Sequence, residues 1–462
     1  MKFRSKTIAH LVRSRGGLAG IIIIIFLLSL TAYGLFFVPI ETYSQWNNPN
    51  YWIDHPKAAA PAWMTGGFGP KPFTHLILNE NMAEISTKET NGIRTVLHTY
   101  VINIQTDSFP DDFMFRYSVK YGQVQPVLQI DIERPDSKRF NLYYSALPES
   151  KGINNSYSGR IFSTDRLISQ SLSEYKGLFD NRLNTVPPQA MIFSDSTQDK
   201  ILKGMYRISE VFYLFDDAST VQSSGVTLGG KVFGLMGTDD IRRDLALGII
   251  LGAPVALFIG LTVSTIAVTM GLLYGVISGL KGRRTDETMM RINDIFYALP
   301  ALPLLIILSI TFGRSIFLIA GFLIIFGWVG TAKIIRSLAL QIKTFQYVEA
   351  AKIMGQSDLK IIFKHIIPQL LPLTFASMAI AVPAAILGEA ALSFLGLGDP
   401  TIPTWGQILH DANTANAAAR GIWWWILPPG LMIALTGLAF YLIGNSLDSG
   451  ANSLKNLVKG GR

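Results

Sequence analysis

Residues 245–280 read LALGIILGAPVALFIGLTVSTIAVTMGLLYGVISGL and contain no Asp, Glu, Lys or Arg. A helix of about 20 apolar residues crosses the hydrocarbon core of a bilayer. This stretch exceeds one crossing, so we expect part of it to tilt or to lie at the interface. Gly271, Gly275 and Gly279 recur every four residues along it. Such a small-residue stripe predicts close packing against another helix.

Five further apolar stretches lie at residues 18–38, 295–313, 315–332, 366–388 and 421–447. Hydrophobic residues form 49% and charged residues 16% of the 462-residue chain, and the mean hydropathy is +0.33. These values predict an α-helical polytopic membrane protein with six transmembrane helices. The first stretch is too long for a signal peptide and lacks a small-residue cleavage site before Pro39, so we interpret it as a retained span. Prolines predict helix bends at Pro300, Pro303 and Pro383.

Basic residues are concentrated in alternate loops between the spans. They precede the first span and follow the second, fourth and sixth spans, at Lys2 to Arg15, Lys281 to Arg291, Lys333 to Lys364 and Lys455 to Arg462. Positive residues are retained on the cytoplasmic side, so both termini are expected to be cytoplasmic in a multi-pass protein of the cell (inner or plasma) membrane. The sequence pI of about 9.4 then reflects topology, and no nucleic acid is expected as a partner.

The spans divide the chain into three predicted parts: 1–43, the cytoplasmic N-terminus and first span; 44–240, an extracytoplasmic insertion; and 241–462, the remaining spans. In the insertion, aromatic and apolar residues alternate with polar ones from Phe113 to Tyr121, which predicts a half-buried strand. Other strand candidates are 75–78, 95–104, 130–132, 140–144 and 205–215, and 166–176 is a helix candidate. We therefore expect a large β-rich domain between the first and second helices.

No segment predicts catalysis or a cofactor. The six histidines lack metalloprotease spacing, and the absence of cysteine excludes disulfides and thiolate metal sites. Residues 225–231, GVTLGGK, match a phosphate-binding loop, but Val232 stands where Ser or Thr should hold magnesium. We interpret this segment as a linker. No catalytic residue, metal or cofactor is predicted.

The predicted docking loop, at about 341–366, lies on the cytoplasmic side and contains most of the sequence EAAKIMGQSDLKIIFKHIIP, residues 349–368. Alanines keep one side of a short amphipathic helix small, Gly355 permits a sharp turn, and Pro368 suits the start of the next span. Such a helix can fit a groove on a partner. Alternatively, Lys352, Lys360 and Lys364 are ordinary positive residues of a cytoplasmic loop.

This segment resembles the EAA signature of the membrane subunits of ATP-binding cassette (ABC) importers. The matching positions are Glu349, Ala350, Ala351, Gly355, Ile367 and Pro368. The resemblance implies the type I ABC importer permease fold, with these residues docking on an ATPase.

Further sequences resemble the dipeptide and oligopeptide (peptide/nickel) branch of those importers. They are GTDDIRRDLALG at 237–248, MMRINDIFYALP at 289–300 and GEAALSFLGLG at 388–398. Arg242 replaces a usual Gly, and Asn445 a usual Asp. The resemblance covers 237–450 strongly but not the large insertion, whose role is not inherited from it.

Glu389 follows a charge-free span and has two equally weighted interpretations. It is either an interfacial residue or part of a passage for a cationic solute. Together with Phe394, Gly396 and Gly398 it could form a re-entrant outer segment, a possible translocation path or outer gate. Asp294 has a simpler interpretation, since Arg291 at helical spacing could pair with it.

The resemblance implies a pore-forming subunit that works by alternating access and hydrolyses no ATP itself. The implied partners are two cytoplasmic ABC ATPase subunits, a second, non-identical permease subunit, an extracytoplasmic solute-binding protein and the lipid bilayer. The resemblance favours dipeptides or oligopeptides as the solute class, although family members also import nickel complexes or sugars. The alternatives are a membrane-anchored receptor or envelope protein whose outer domain carries the function, and a membrane enzyme.

Overall fold

The computed structural model describes residues 14–66, 70–122, 124–149, 155–175, 187–195 and 200–459. These residues form two compact units. The first contains the described residues up to Asn47 and from Leu247 onward, and the second is Asn48–Ala246. The second unit overlaps the predicted insertion at 44–240.

The helices follow one another along the chain. They are α1 (Arg15–Phe37), α2 (Ile40–Ser44), α3 (Arg166–Glu174), α4 (Pro188–Phe193), α5 (Leu245–Lys281), α6 (Arg283–Ala298), α7 (Ala301–Phe312), α8 (Ile316–Lys343), α9 (Gln346–Ile353), α10 (Asp358–Ile361), α11 (Ile367–Phe394), α12 (Trp405–Thr414) and α13 (Trp423–Lys459). In the described chain, five helices are long and apolar enough to cross a membrane: α1, α5, α8, α13, and α11 with the turns that precede it.

The predicted third span, 295–313, is not one continuous helix. Its residues are divided between α6 and α7, which meet at an angle of 75°. Leu299 and Pro300 at the junction are extended, with ψ of 131° and 100°. A proline disfavours helical geometry in the residue before it, which explains the break. The bend predicted at Pro300 is confirmed, and the two helices together are apolar enough to form one bent span.

The glycine stripe of α5 packs on α8, as its spacing predicts. A Cβ at Gly275 would lie 2.6 Å from the Ala332 carbonyl oxygen and 2.9 Å from the Arg336 nitrogen. At Gly271 it would lie 2.9 Å from the Trp328 carbonyl oxygen. These contacts are with backbone, which cannot rotate away, so glycine is required for the two helices to approach this closely.

The first helix is held by the last one and by α5. A Cβ at Gly20 would lie 2.9 Å from the Ala439 carbonyl oxygen in α13, and one at Gly34 would lie 3.1 Å from Ile250 in α5. The indole of Trp46, which is 1% exposed, lies against Gly248. The two ends of the chain that border the second unit therefore contact each other inside the first unit.

The second unit contains two antiparallel sheets. Their strands are β1 (Leu76–Asn79), β2 (Glu84–Thr90), β3 (Ile93–Ile104), β4 (Asp112–Tyr121), β5 (Val127–Glu133), β6 (Arg139–Ala146), β7 (Asn155–Phe162), β8 (Gly204–Leu214) and β9 (Thr220–Gly229). In the described residues the four-stranded sheet has the order β1-β9-β4-β7, and the five-stranded sheet has the order β2-β3-β8-β5-β6.

One hydrophobic core takes side chains from both sheets. Phe113, Phe115 and Tyr117 alternate inward from β4, and Tyr206 and Ile208 do so from β8. α3 covers Arg166–Glu174 of the predicted helix at 166–176, and Lys176 lies outside the described residues. Each strand candidate named above overlaps a strand of the structure.

The linker predicted at 225–231 is wrong. Gly225 to Gly229 belong to β9, which pairs with β1 on one side and β4 on the other. The β9 sequence TVQSSGVTLG does not alternate between apolar and polar residues, so its pattern does not predict a central strand. Strands β2 and β7 were also missed; β2, EISTKET, is an exposed edge strand rich in charge.

A polar cluster lies inside this core. Glu210 and His98 face each other across β8 and β3, and each is 1% exposed. The Tyr100 hydroxyl hydrogen bonds to the Ser224 hydroxyl at 2.7 Å, and His98 Nδ1 also contacts Ser224. Burial raises the pKa of the Glu210 carboxyl well above its usual range.

We expect Gly275→Ala to destabilise the full-length protein in mild detergent by about 1–3 kcal/mol, because the added methyl meets backbone of α8. Thermal unfolding measures the effect. Gly321→Ala in α8 is the matched control, since a Cβ there meets nothing within 4 Å. Equal midpoints for the two variants would contradict the packing described.

We expect the backbone amides of β8 to exchange more slowly in Glu210→Gln than in the wild type, by a margin that grows as the pH rises. The folded pKa of Glu210 is raised, so the wild type is most stable below its unfolded pKa of about 4.3 and loses stability as the pH rises through the folded pKa. Glutamine does not titrate. Amide hydrogen exchange of residues 204–214 in the full-length chain measures this difference, which should nearly vanish at low pH. A benefit independent of pH would contradict the assignment.

Candidate functional site

The docking segment, residues 346–368, joins α8 to α11. It consists of α9, a turn at Gly355, α10, a π-helical turn at Ile362–Ile366 and the first residues of α11. Its inner face includes Val348, Ile361 and Ile366, which pack with Val276 of α5 and Ile335 of α8. The segment is therefore held against the two helices that share the glycine stripe.

The outer face of the docking segment exposes four large apolar side chains among charged ones. Ile353 is 86%, Met354 72%, Leu359 68% and Phe363 61% exposed. Sequence reasoning singled out the motif residues and missed these four. The sequence pattern that could have indicated this surface is a large apolar residue next to a lysine, which recurs along an otherwise polar loop. Exposed apolar side chains of this kind indicate a surface for a partner.

The spacing between Ala351 and Gly355 has a geometric cause. Gly355 has a φ of +76° and donates its N–H to the Lys352 carbonyl, while Gln356 donates to the Ala351 carbonyl at 3.1 Å. These two bonds are the Schellman motif, which ends a helix at a left-handed glycine. A Cβ at Gly355 would meet no atom within 4 Å, so conformation rather than crowding requires glycine.

The remaining motif residues lie on different faces. Glu349 and Ala350 are exposed, whereas Ala351 is buried. Pro368 occupies the start of α11, directly after the π-helical turn. Proline donates no backbone hydrogen bond and crowds the carbonyl four residues earlier, and the wider π turn accommodates both effects. His365 Nε2 and Gln356 Oε1, 2.9 Å apart, connect this turn to the one after α9.

The second group of predicted residues lies at the other end of α11. Glu389 is 3% exposed and accepts a hydrogen bond from the Ser393 hydroxyl at 2.6 Å. Gly406 at the start of α12 packs so closely that a Cβ there would lie 2.7 Å from the Ala390 Cα. The Glu389 carboxylate therefore faces the interior of this chain, against α12.

A second Schellman motif ends α11. Gly396 has a φ of +79° and donates to the Ser393 carbonyl at 2.9 Å, while Leu397 donates to the Leu392 carbonyl at 3.0 Å. A Cβ at Gly398 would overlap the Ser393 hydroxyl. Phe394, by contrast, is 40% exposed. Residues 394–398 thus form a tight turn that presents one aromatic ring outward.

Two ion pairs connect α6 to α8. Asp294 pairs with Lys333 at 2.8 Å, not with Arg291 as its spacing suggested. Asp286 accepts two hydrogen bonds from Arg336, each 2.5 Å long. The second pair joins residues 50 positions apart, so no local pattern could predict it.

Within the described ranges, no group of three or more His, Asp or Glu side chains is arranged to hold a metal ion. The predicted site residues lie on two surfaces of the helical unit, one at each end of α11.

The chain is similar in sequence to known proteins. The family of binding-protein-dependent transport system inner membrane components matches residues 271–452, which include both ends of α11. The chain is 36% identical over 212 residues to the oligopeptide transport system permease protein of Bacillus subtilis (strain 168), covering 46% of this chain and 68% of that relative.

Two other relatives agree. The dipeptide transport system permease protein of the same organism is 38% identical over 213 residues, covering 46% of this chain and 66% of the relative. The oligopeptide transport system permease protein of Haemophilus influenzae is 35% identical over 237 residues, covering 51% of this chain and 75% of the relative. The chain belongs to the family of binding-protein-dependent transport system inner membrane components.

Proposed function

We propose that this chain is the pore-forming subunit of an ATP-driven ABC importer for dipeptides or oligopeptides. The observation that carries the proposal is the docking segment, whose inner face is anchored to α5 and α8 while its outer face exposes Ile353 and Met354. The relatives named for peptide transport support the solute class. Membership of this family disfavours a receptor whose helices serve only as an anchor.

The proposed topology has six spans, with the bent α6–α7 pair counted as one crossing. Both termini lie in the cytoplasm, and the unit Asn48–Ala246 lies outside. The distribution of Lys and Arg supports this orientation. The protein is a multi-pass protein of the inner membrane.

The proposed partners follow from the family to which the chain belongs. Two cytoplasmic ABC ATPase subunits hydrolyse ATP and bind the docking segments. A second, non-identical permease subunit completes the pore, and an extracytoplasmic solute-binding protein delivers the peptide. Motion of the ATPases reaches α5 and α8 through the buried face of the docking segment, which gives alternating access.

At the outer end, we propose that the turn at 394–398 forms part of the gate. Glu389 is a positioning residue in this proposal. Its bond within α11 orients Ser393, whose side chain packs against Gly406 of α12 and next to Phe394.

The proposed function is tested by purifying the chain from its native membrane in mild detergent and identifying bound proteins by mass spectrometry. The complex is then reconstituted in vesicles with its binding protein. We expect two ATPases, a second permease subunit and ATP-dependent uptake of labelled di- or oligopeptides. A complex without ATPases, or one that takes up no peptide, would overturn the proposal.

Met354→Glu should weaken retention of the ATPases at least about tenfold, because a carboxylate would be desolvated in an apolar contact. The side chain is 72% exposed, so folding should not change. Quantitative mass spectrometry of the co-purified ATPases measures the loss. Met205→Glu, at a 54% exposed position in the second unit, is the matched control and should retain them. Equal retention in both variants would count against the docking surface.

Glu389→Gln should preserve most ATP-driven uptake, because its amide oxygen can still accept the Ser393 hydrogen bond. Glu389→Ala should reduce uptake severalfold, since it leaves a cavity and an unpaired hydroxyl. Initial uptake rates in reconstituted vesicles distinguish the two variants. Loss of uptake in Glu389→Gln would indicate instead that the negative charge contacts the solute.

A further inference from the structure

A polar pocket of about 510 Å³ lies in the second unit, on the four-stranded sheet. Arg116 and Ser118 of β4 alternate with the inward residues Phe115 and Tyr117, so they point away from the core. Arg160 of β7 and Glu80 after β1 complete its charged lining. The matched family region, residues 271–452, does not include this sheet.

Two arginines face each other across the strands of this pocket. Arg116 and Arg160 are direct partners in the β4–β7 register. Like charges at opposed positions destabilise a sheet unless a counter-charge is present. Arg160 is exposed and has no ion-pair partner among the described residues. The arrangement therefore leaves one guanidinium available for an anionic group.

Neighbouring residues fix the guanidinium of Arg116, the second positive group available for an anionic ligand group. Its Nη1 lies 3.4 Å from Asp54 Oδ2, and its Nη2 donates to Asn79 Oδ1. A Cβ at Gly225 would lie 2.9 Å from its Nε and 3.1 Å from its Nη2. The absent side chain at Gly225 thus lets the guanidinium lie across β9. This gives a function to a glycine whose sequence suggested a phosphate-binding loop.

The acidic residue in the pocket limits the kind of ligand. Glu80 lines the pocket and has no ion-pair partner among the described residues. The lining thus combines two positive side chains with the negative Glu80, while Asp54, outside the lining, pairs with Arg116. A doubly charged phosphate would meet repulsion here, whereas a carboxylate on the same molecule as an amine would match both signs. Hydroxyls of Ser118 and Ser158, 2.9 Å apart, add neutral hydrogen-bonding groups to the lining.

We propose that this pocket binds the zwitterionic backbone of a short peptide, with its C-terminal carboxylate on Arg160 and Arg116 and its amine at Glu80. The inference rests on the proposed function, because it takes peptides as the solute. It assigns the second unit a peptide-binding role of its own within the transporter subunit.

The test uses the purified full-length chain in lipid nanodiscs, without ATPases or binding protein. Isothermal titration compares trialanine with its C-terminal amide and its N-acetyl derivative. We expect trialanine to bind and each blocked peptide to bind about tenfold or more weakly, since each loses a charge-assisted interaction. Hydrogen exchange should place the protection in β4 and β7.

Variants separate the two ends of the ligand. Arg160→Ala should abolish the preference for the free carboxylate, and Glu80→Gln should abolish the preference for the free amine. Arg207→Ala, an exposed arginine on β8 outside this pocket, is the matched control and should bind like the wild type.

Three results would overturn the proposal: no binding of trialanine, binding unchanged in Arg160→Ala, or equal competition by inorganic phosphate. These failures are distinguishable from failure of the proposed function. A wild-type complex that imports peptides but lacks this binding overturns the pocket alone. A complex that imports no peptide overturns the transport proposal, whatever the titration gives.

Discussion

The close approach of α5 and α8 is the constraint on which the membrane unit depends. Gly275 lies against the backbone of Ala332 and Arg336, so neither helix can shift without a clash or a void. The buried face of the docking segment packs on the same two helices, and the Asp286–Arg336 pair joins α6 to one of them, α8. Movement of the docking segment is therefore transmitted to α5 and α8, which are packed as a rigid pair.

Glycine also ends α9 and α11, although for another reason. Gly355 and Gly396 both adopt left-handed conformations that close a Schellman motif. One of them defines the surface proposed to meet the ATPase, and the other defines the turn proposed to gate the pore. In both places a helix stops abruptly so that exposed side chains project from a fixed position.

Features that depend on local pattern were predictable, and features that depend on distant contacts were not. Hydropathy placed the five long apolar helices, and the spacing from Ala351 to Gly355 follows from cap geometry. The angle between α6 and α7 could not be read from Pro300 alone, because a proline permits several bends. Strand β9 was missed since Ser and Gly replace the expected alternation, and the Asp286–Arg336 pair joins distant segments. Glu389 was identified as notable, but its burial depends on the packing of Gly406.

The contact between Trp46 and Gly248 explains how the helical unit can accept a large inserted domain. These residues border the second unit, yet they meet within the helical unit. The first unit therefore holds together the two chain segments that border the second unit. The helices do not require the second unit to bring these segments together. An insertion at such a point can change in length or content while the pore remains intact. Diversity among these subunits can therefore accumulate in the insertion at little risk to the transport machinery.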